Sequence, residues 1–133
     1  MPDRRPVKWK AAVAAASLLF NAGMCGAAEA PTDGQKLLLY CQDAEKDGAG
    51  VNPFRAGYCM AFIEGTLRGW EAGAYVRDAS TNYCIPAGAT LGTIIRVVTK
   101  HLSDNPTEQR IKGEIAVISA IQKAFPCGPG RKP

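Results

Sequence analysis

The sequence predicts an all-α fold: a small four-helix domain built as two helical hairpins and stapled by two disulfides. Three observations predict it. Four stretches repeat apolar residues at the helical period of about 100° per residue. Capping residues and turn clusters punctuate those stretches. An even set of cysteines remains once the N-terminal segment is set aside. At 133 residues the chain suffices for one domain and not two.

The N-terminal segment reads as a secretory signal peptide over residues 1–28. Arg4, Arg5, Lys8 and Lys10 make a basic start, and Ala11 to Phe20 is an uncharged apolar run of about ten residues, too short to span a bilayer. Small residues follow at Gly26, Ala27, Ala28 and Ala30. Cleavage after Ala30 would leave Pro31 beside the cut, which disfavours it. Cleavage after Ala28, with Gly26 at the minus-three position, fits better, so the cut falls between residues 27 and 30. Cys25 is not read as a lipidation site, because bulky Met24 precedes it where a small residue is wanted. Removing the segment takes away four basic residues and one acid, so the formal charge falls from +4 to +1. The basicity therefore belongs to the export signal and gives no argument for nucleic-acid binding. No later apolar run is long enough to span a membrane. A soluble exported protein is expected, periplasmic in a bacterium.

The domain over residues 31–127 opens with a lead in which Thr32 and Gln35 resemble a capping box. Helix one is predicted over Asp33–Lys46, with Leu37, Cys41 and Ala44 as its stripe and Leu38 and Tyr40 at the margins. The turn-rich run Asp47–Pro53 ends it. Helix two, from about Phe54 to Tyr75, is the centre of the chain. Cys59, Phe62, Ile63, Thr66 and Trp70 fall on one side. Glu64, Arg68 and Glu71 fall opposite, with Glu64 and Arg68 spaced for an i,i+4 ion pair. Ala61, Gly65, Gly69 and Gly73 recur every fourth residue along the flank. Each glycine costs a helix roughly 1 kcal/mol against alanine. The expected compensation is close approach by a second helix or a partner, and Gly65 is grouped with Phe62, Ile63 and Trp70 as a packing residue. The charges on this helix exclude a lipid-spanning pair.

Residues 76–89 show no helical period and form an irregular connection marked by Asp78, Ser80, Asn82, Pro86 and Gly88. Thr90 is the expected N-cap of helix three, whose stripe is Leu91, Ile94, Ile95, Val98 and Leu102, opposed by Arg96 and Lys100. Residues 103–106 break it. Asn105, Pro106 and Glu108 then read as the cap, first-turn proline and capping-box acid of helix four. Ile111, Ile115 and Ile118 give that helix a face, which Ala116, Val117, Ala120 and Ile121 widen nearly all round. IAVISAI is also good strand sequence; the caps and the length decide for helix. A helix apolar on most sides is either central in a bundle or shared with another chain, so with the glycine stripe it raises a homodimer. Phe125-Pro126-Cys127 ends the domain, and residues 128–133 read as a polar, flexible tail.

Of five cysteines, Cys25 leaves with the signal peptide. Cys41, Cys59, Cys84 and Cys127 remain, and in an exported chain of about 105 residues they read as two disulfides. Four cysteines allow three pairings. Cys41 lies about five residues before the end of helix one and Cys59 about five after the start of helix two, so a hairpin sets them at one height. Cys84 precedes helix three and Cys127 follows helix four, ends that meet in an antiparallel pair. The predicted bridges are Cys41–Cys59 and Cys84–Cys127. No CxxC or CxxCH occurs, and His101, the only histidine, sits at a helix end. Cys–His catalysis and metal binding therefore lack a partner set. Asp43, Glu45 and Asp47 cluster near the end of helix one and read as solvated surface; Asp43 and Asp47 are near enough in sequence to suggest a metal, but no third ligand has defined spacing. No catalytic set, metal or cofactor is expected, which favours a binding protein over an enzyme.

The ordered set Leu38-x-x-Cys41, Cys59-x-Ala61-Phe62-Ile63-x-Gly65, Tyr83-Cys84-x-Pro86-x-Gly88, Leu102-x-x-Asn105-Pro106 and Ala124-Phe125-Pro126-Cys127 resembles the Rap/Tai immunity proteins of bacterial type VI secretion systems. The likeness covers about residues 36–127, with Ala61-Phe62 where the family commonly has Gly-Tyr. The resemblance implies an exported helical protein that binds and blocks a peptidoglycan-cleaving amidase toxin with a Cys–His active site, injected by neighbours or siblings. It also points toward a dimer. Many family members have no toxin gene beside them, so the resemblance carries the fold further than the partner.

From the residues alone, two other classes stay open: an acid-stress or general periplasmic chaperone, and an accessory or structural envelope protein. One histidine and a mature charge near zero argue against an imidazole-based pH switch. An inhibitor must fill a cleft, which a protruding segment on a rigid scaffold does best. Residues 47–53 lack large anchors. Residues 74–83 carry Tyr75, Val76, Arg77, Asp78, Asn82 and Tyr83, and Cys84 tethers the far end. Tyrosine and arginine often dominate interface energy, and a tethered loop loses less entropy on binding. Tyr75, Arg77, Asp78 and Asn82 are the expected contact residues. Tyr75 and Tyr83 could instead cover the edge of the core.

Overall fold

The structure, a computed structural model, describes residues 32–129. The expected signal peptide, its expected cleavage site and the last residues of the expected tail lie outside the described residues. Four helices follow in order: α1 Gly34–Ala44, α2 Pro53–Val76, α3 Leu91–Asp104 and α4 Gly113–Ala124, with single 3₁₀ turns at Gly48–Gly50 and Glu108–Arg110. Among the described residues there is no strand, only one isolated antiparallel bridge between Asp33 and Lys112.

Three helices start where side chains satisfy orphan N–H groups. Asp33 caps α1 by accepting from the Lys36 amide at 2.8 Å, Asn52 caps α2 by accepting from Arg55 at 3.2 Å with Pro53 in the first turn, and Thr90 caps α3 by accepting from Thr93 at 3.2 Å. The box expected at Thr32 and Gln35 is thus replaced by Asp33. Thr32 is buried, with its hydroxyl on that of Tyr58.

Helix α4 begins later than its caps suggested. Asn105, Pro106 and Glu108 make a turn and one 3₁₀ turn, after which Ile111 and Lys112 are extended. The cause is a crossover with the start of α1. The Gly34 amide donates to the Ile111 carbonyl at 3.0 Å, and the Gly113 amide donates to the Thr32 carbonyl at 2.7 Å. Each helix therefore has its first N–H satisfied by the other's lead, and a helix continuous from Pro106 could not make either bond. The approach requires glycine at both points. A Cβ on Gly34 would run into the Glu108 carbonyl, and one on Gly113 would lie 3.0 Å from the Thr32 carbonyl and 3.1 Å from the Phe62 ring.

The core is drawn from all four helices. Leu37 and Cys41 of α1, Cys59, Ile63 and Leu67 of α2, Ile94, Ile95, Val98 and Leu102 of α3, and Ala116 to Ile121 of α4 enclose it, joined by Tyr83. Leu37, Ile63, Leu102 and Ile121 are fully buried, each worth about 2–3 kcal/mol of apolar transfer. Helix α1 packs on α2 and α3 on α4, the two expected hairpins, and α1 also crosses α3. Both predicted disulfides are present: Cys41–Cys59 within the first hairpin and Cys84–Cys127 clasping the ends of the second.

Several details differ. The buried edge of α2 is Ala56, Cys59, Ile63, Leu67 and Ala74, while Phe62 and Trp70 are only half-buried. A Cβ built on Gly65 or Gly69 meets nothing within 4 Å, so the close approach expected at Gly65 is not made within the described residues. Arg68 pairs with Glu71 at 3.3 Å rather than with Glu64. On α4 the buried face is Ala116, Val117, Ala120 and Ile121 with Ile118, and Ile115 is half exposed.

Candidate functional site

The candidate site is the end of α2 and the segment that follows it. Helix α2 stops although no glycine is available. Asp78 takes the left-handed conformation instead, at φ 49°. The Ala79 amide then donates to the Ala74 carbonyl at 2.9 Å and the Asp78 amide to the Tyr75 carbonyl at 3.2 Å. That is a Schellman stop with aspartate at the glycine position, one of the few residue types that tolerate it. Tyr75 and Val76, on the last turn, are left 88% and 82% exposed.

Beyond this stop the chain is held residue by residue. The Asn82 amide donates to the Ser80 hydroxyl at 3.0 Å, and Asn82 is itself left-handed at φ 62°. The Thr81 hydroxyl donates to the Tyr83 carbonyl at 3.2 Å. The Thr81 carbonyl accepts from two side chains on different helices, Trp70 Nε1 of α2 and Gln122 Nε2 of α4, each at 3.2 Å. Tyr83 then turns inward and is buried, its hydroxyl 3.5 Å from Glu71. Burial, with the Glu71 charge behind it, pushes the Tyr83 phenol up to about 12. The Cys84 amide donates to the Phe125 carbonyl at 2.8 Å, and the Cys84–Cys127 bridge closes the segment.

Tyr75, Arg77, Asp78 and Asn82 are thus all exposed and lie on one short segment. Of the two tyrosines that could have covered the core edge, Tyr83 does so and Tyr75 does not. Two hollows lie nearby, one against Thr81 and one against its two donors. One of about 550 Å³ lies against Glu71, Tyr75, Thr81 and Tyr83. The other, of about 490 Å³, lies against Trp70, Ile115, Gln122 and Lys123. Sequence reasoning assigned Trp70 to packing and missed its N–H donation. Gln122 carried no signal, because its partner lies 41 residues away. The competing loop, residues 47–53, presents the exposed turn Gly48–Gly50 with no large side chain on it.

Two polar clusters elsewhere are accounted for by structure. Asp43, expected on solvated surface, is buried and binds Lys46 at 2.5 Å and Arg55 at 3.5 Å. The Lys46 hydrogen bond lowers its carboxyl despite the opposing effect of burial, and the Lys46 and Arg55 charges add to the lowering. His101 Nε2 lies 2.8 Å from Glu108, whose other oxygen accepts from Ser119 at 3.4 Å. Burial raises the Glu108 carboxyl, but the His101 and Ser119 hydrogen bonds and the charges of His101 and Lys123 together bring it below the usual range. The cluster ties α3 and α4 through the intervening turn. Cys41, Cys59, Cys84 and Cys127 are all bridged. Among the described residues no group of three or more His, Cys, Asp or Glu is placed to hold a metal ion. No described helix is long and apolar enough to cross a membrane.

Against known proteins, the family model of the Rap1a immunity proteins matches residues 33–127. No curated protein and no solved structure matches.

Proposed function

The chain belongs to the Rap1a immunity protein family, and from that premise we propose that it is an exported protein which binds and occludes a peptidoglycan amidase toxin of a type VI secretion system. The N-terminal basic and apolar run of residues 1–28 supports export, and the paired cysteines suit an oxidising compartment such as the periplasm. The domain of residues 31–127 would then act outside the cytoplasm as a binding protein and not as an enzyme.

The observation that carries the reading of the site is the exposed, anchored segment 75–82. Tyr75 and Arg77 would supply anchors in the toxin cleft, with Asp78 and Asn82 as polar contacts. A homodimer is a further part of the proposal, supported by the open face of α2 at Gly65 and Gly69. Sedimentation of the mature protein as a monomer at micromolar concentration would count against it.

The test is a pull-down from periplasm with the mature protein as bait, followed by an assay of the captured amidase on peptidoglycan. The reading expects an amidase whose hydrolysis stops when the bait is added back. Alanine at Tyr75 or Arg77 should weaken that block by roughly 1–3 kcal/mol with little change in thermal stability. If alanine across 75–82 leaves neutralisation intact, the segment is not the plug, and the small-residue face of α2 becomes the next candidate.

A further inference from the structure

We propose that Trp70 and Gln122 are positioning residues for partner binding. By gripping the Thr81 carbonyl from two helices, they set segment 77–83 as a rigid ridge before any partner arrives. The inference rests on the reading above, that this segment enters a toxin's cleft, and adds to it how the ridge is held and which buried-side residues binding depends on.

Three observations converge on Thr81. First, its carbonyl is bonded to both hairpins, at 3.2 Å from Trp70 Nε1 and 3.2 Å from Gln122 Nε2. A carbonyl oxygen has room for two donors, and here both lone pairs are engaged by side chains. Second, the two residues that follow Thr81 go opposite ways. Asn82 is left-handed and exposed, while Tyr83 is buried. The clamp therefore stands where the chain turns from the exposed ridge to the core. Third, one hollow lies against the segment itself, lined by Tyr75, Thr81 and Tyr83, and a second lies beside the two donors, Trp70 and Gln122. The clamp and the Cys84–Cys127 closure hold the segment at its C-terminal end. A segment fixed in its bound shape does not give up its freedom on binding, and that freedom is a main cost for a loop.

The double grip makes a specific signature. Removing one donor leaves the carbonyl with the other, whereas removing both frees it. The two residues should therefore be non-additive. The experiment uses Trp70→Phe and Gln122→Met, which remove the N–H donors and keep most of the side-chain volume, singly and together in the full mature protein. Hydrogen exchange of the amides of residues 79–84 is read in the free protein, and affinity is read against the purified amidase captured in the pull-down. The expected result is an affinity loss of about threefold for each single variant and about a hundredfold for the pair. It should be accompanied by faster exchange confined to 79–84 and only a small fall in the global unfolding midpoint.

The proposal is overturned if the double variant exchanges like the wild type, or if it loosens the ridge and binds unchanged. Alanine substitution of Tyr75 and Arg77 separates the two failures. If those variants lose affinity while the clamp variants do not, the plug reading stands and the positioning role falls. If neither set loses affinity, both fall.

Discussion

Breaking the Cys84–Cys127 bridge should lower the stability of the domain by about 4 kcal/mol. The bridge spans a sequence separation of 43 residues, and the chain-entropy relation for a loop of that size gives roughly 4 kcal/mol at 25 °C. Both cysteines are only half-buried, so a Cys84→Ser/Cys127→Ser double variant removes little core area and isolates the loop term. The Cys41–Cys59 bridge makes a useful contrast. Its separation is 18 residues, for which the same relation gives about 3 kcal/mol. Those cysteines, however, are fully buried, so replacing them with alanine adds the loss of packed sulfur to the loop term. The assay is urea unfolding without reductant. With a slope of about 1–2 kcal/mol/M, the Cys84/Cys127 variant should lose roughly 2–4 M in midpoint. Its slope should rise, because the uncrosslinked unfolded chain exposes more surface. A loss below about 1 kcal/mol would refute the reasoning, as it would mean that the bridge does not restrain the unfolded chain.

Other outcomes follow from single positions. Gly34→Ala should destabilise by about 1–3 kcal/mol because its Cβ would strike the crossover backbone at Glu108. Gly65→Ala, with open space around it, should gain up to about 1 kcal/mol from helix propensity; urea midpoints of the two variants decide. Asp43 has a lowered carboxyl pKa, so its stabilising effect is present above the ordinary value of 3.8 and is lost as pH falls through the lowered value. Asp43→Asn should therefore flatten the acid limb of a stability–pH curve. Tyr83 has a phenol raised from 10.0 to about 12, so its contribution is complete below pH 10 and disappears as pH rises toward 12. A phenolate absorbance titration should show one late tyrosine that Tyr83→Phe removes.

What the sequence made legible was mostly local or hairpin-scale. The cap at Thr90 is a chemical rule acting over three residues, and α3 begins where that residue places it. The Cys41–Cys59 pairing followed from matching heights on adjacent helices, and the Cys84–Cys127 pairing from the meeting ends of an antiparallel hairpin. The start of α4 was not legible, because Asn105-Pro106-Glu108 is good cap chemistry and nothing nearby reveals that Thr32 will cross over residues 111–113. Leu67 was missed for a related reason. Helix α2 carries apolar or small residues on most sides, and the large rings of Phe62 and Trp70 drew the stripe toward themselves although they sit at its edge. In the site, exposure and loop position could be read from composition. The Schellman stop at Asp78 could not, since the usual glycine is absent. The Trp70–Thr81–Gln122 clamp joins three separate parts of the chain and had no local signature.

The most direct measurement is peptidoglycan hydrolysis by the captured amidase, titrated with the purified mature protein. The account predicts that hydrolysis falls to background near one equivalent of binding sites. It also predicts that a variant with alanine at Tyr75, Arg77, Asp78 and Asn82, folded as judged by its unfolding midpoint, no longer achieves this. Hydrolysis that continues undiminished at a large molar excess of the wild-type protein would contradict it.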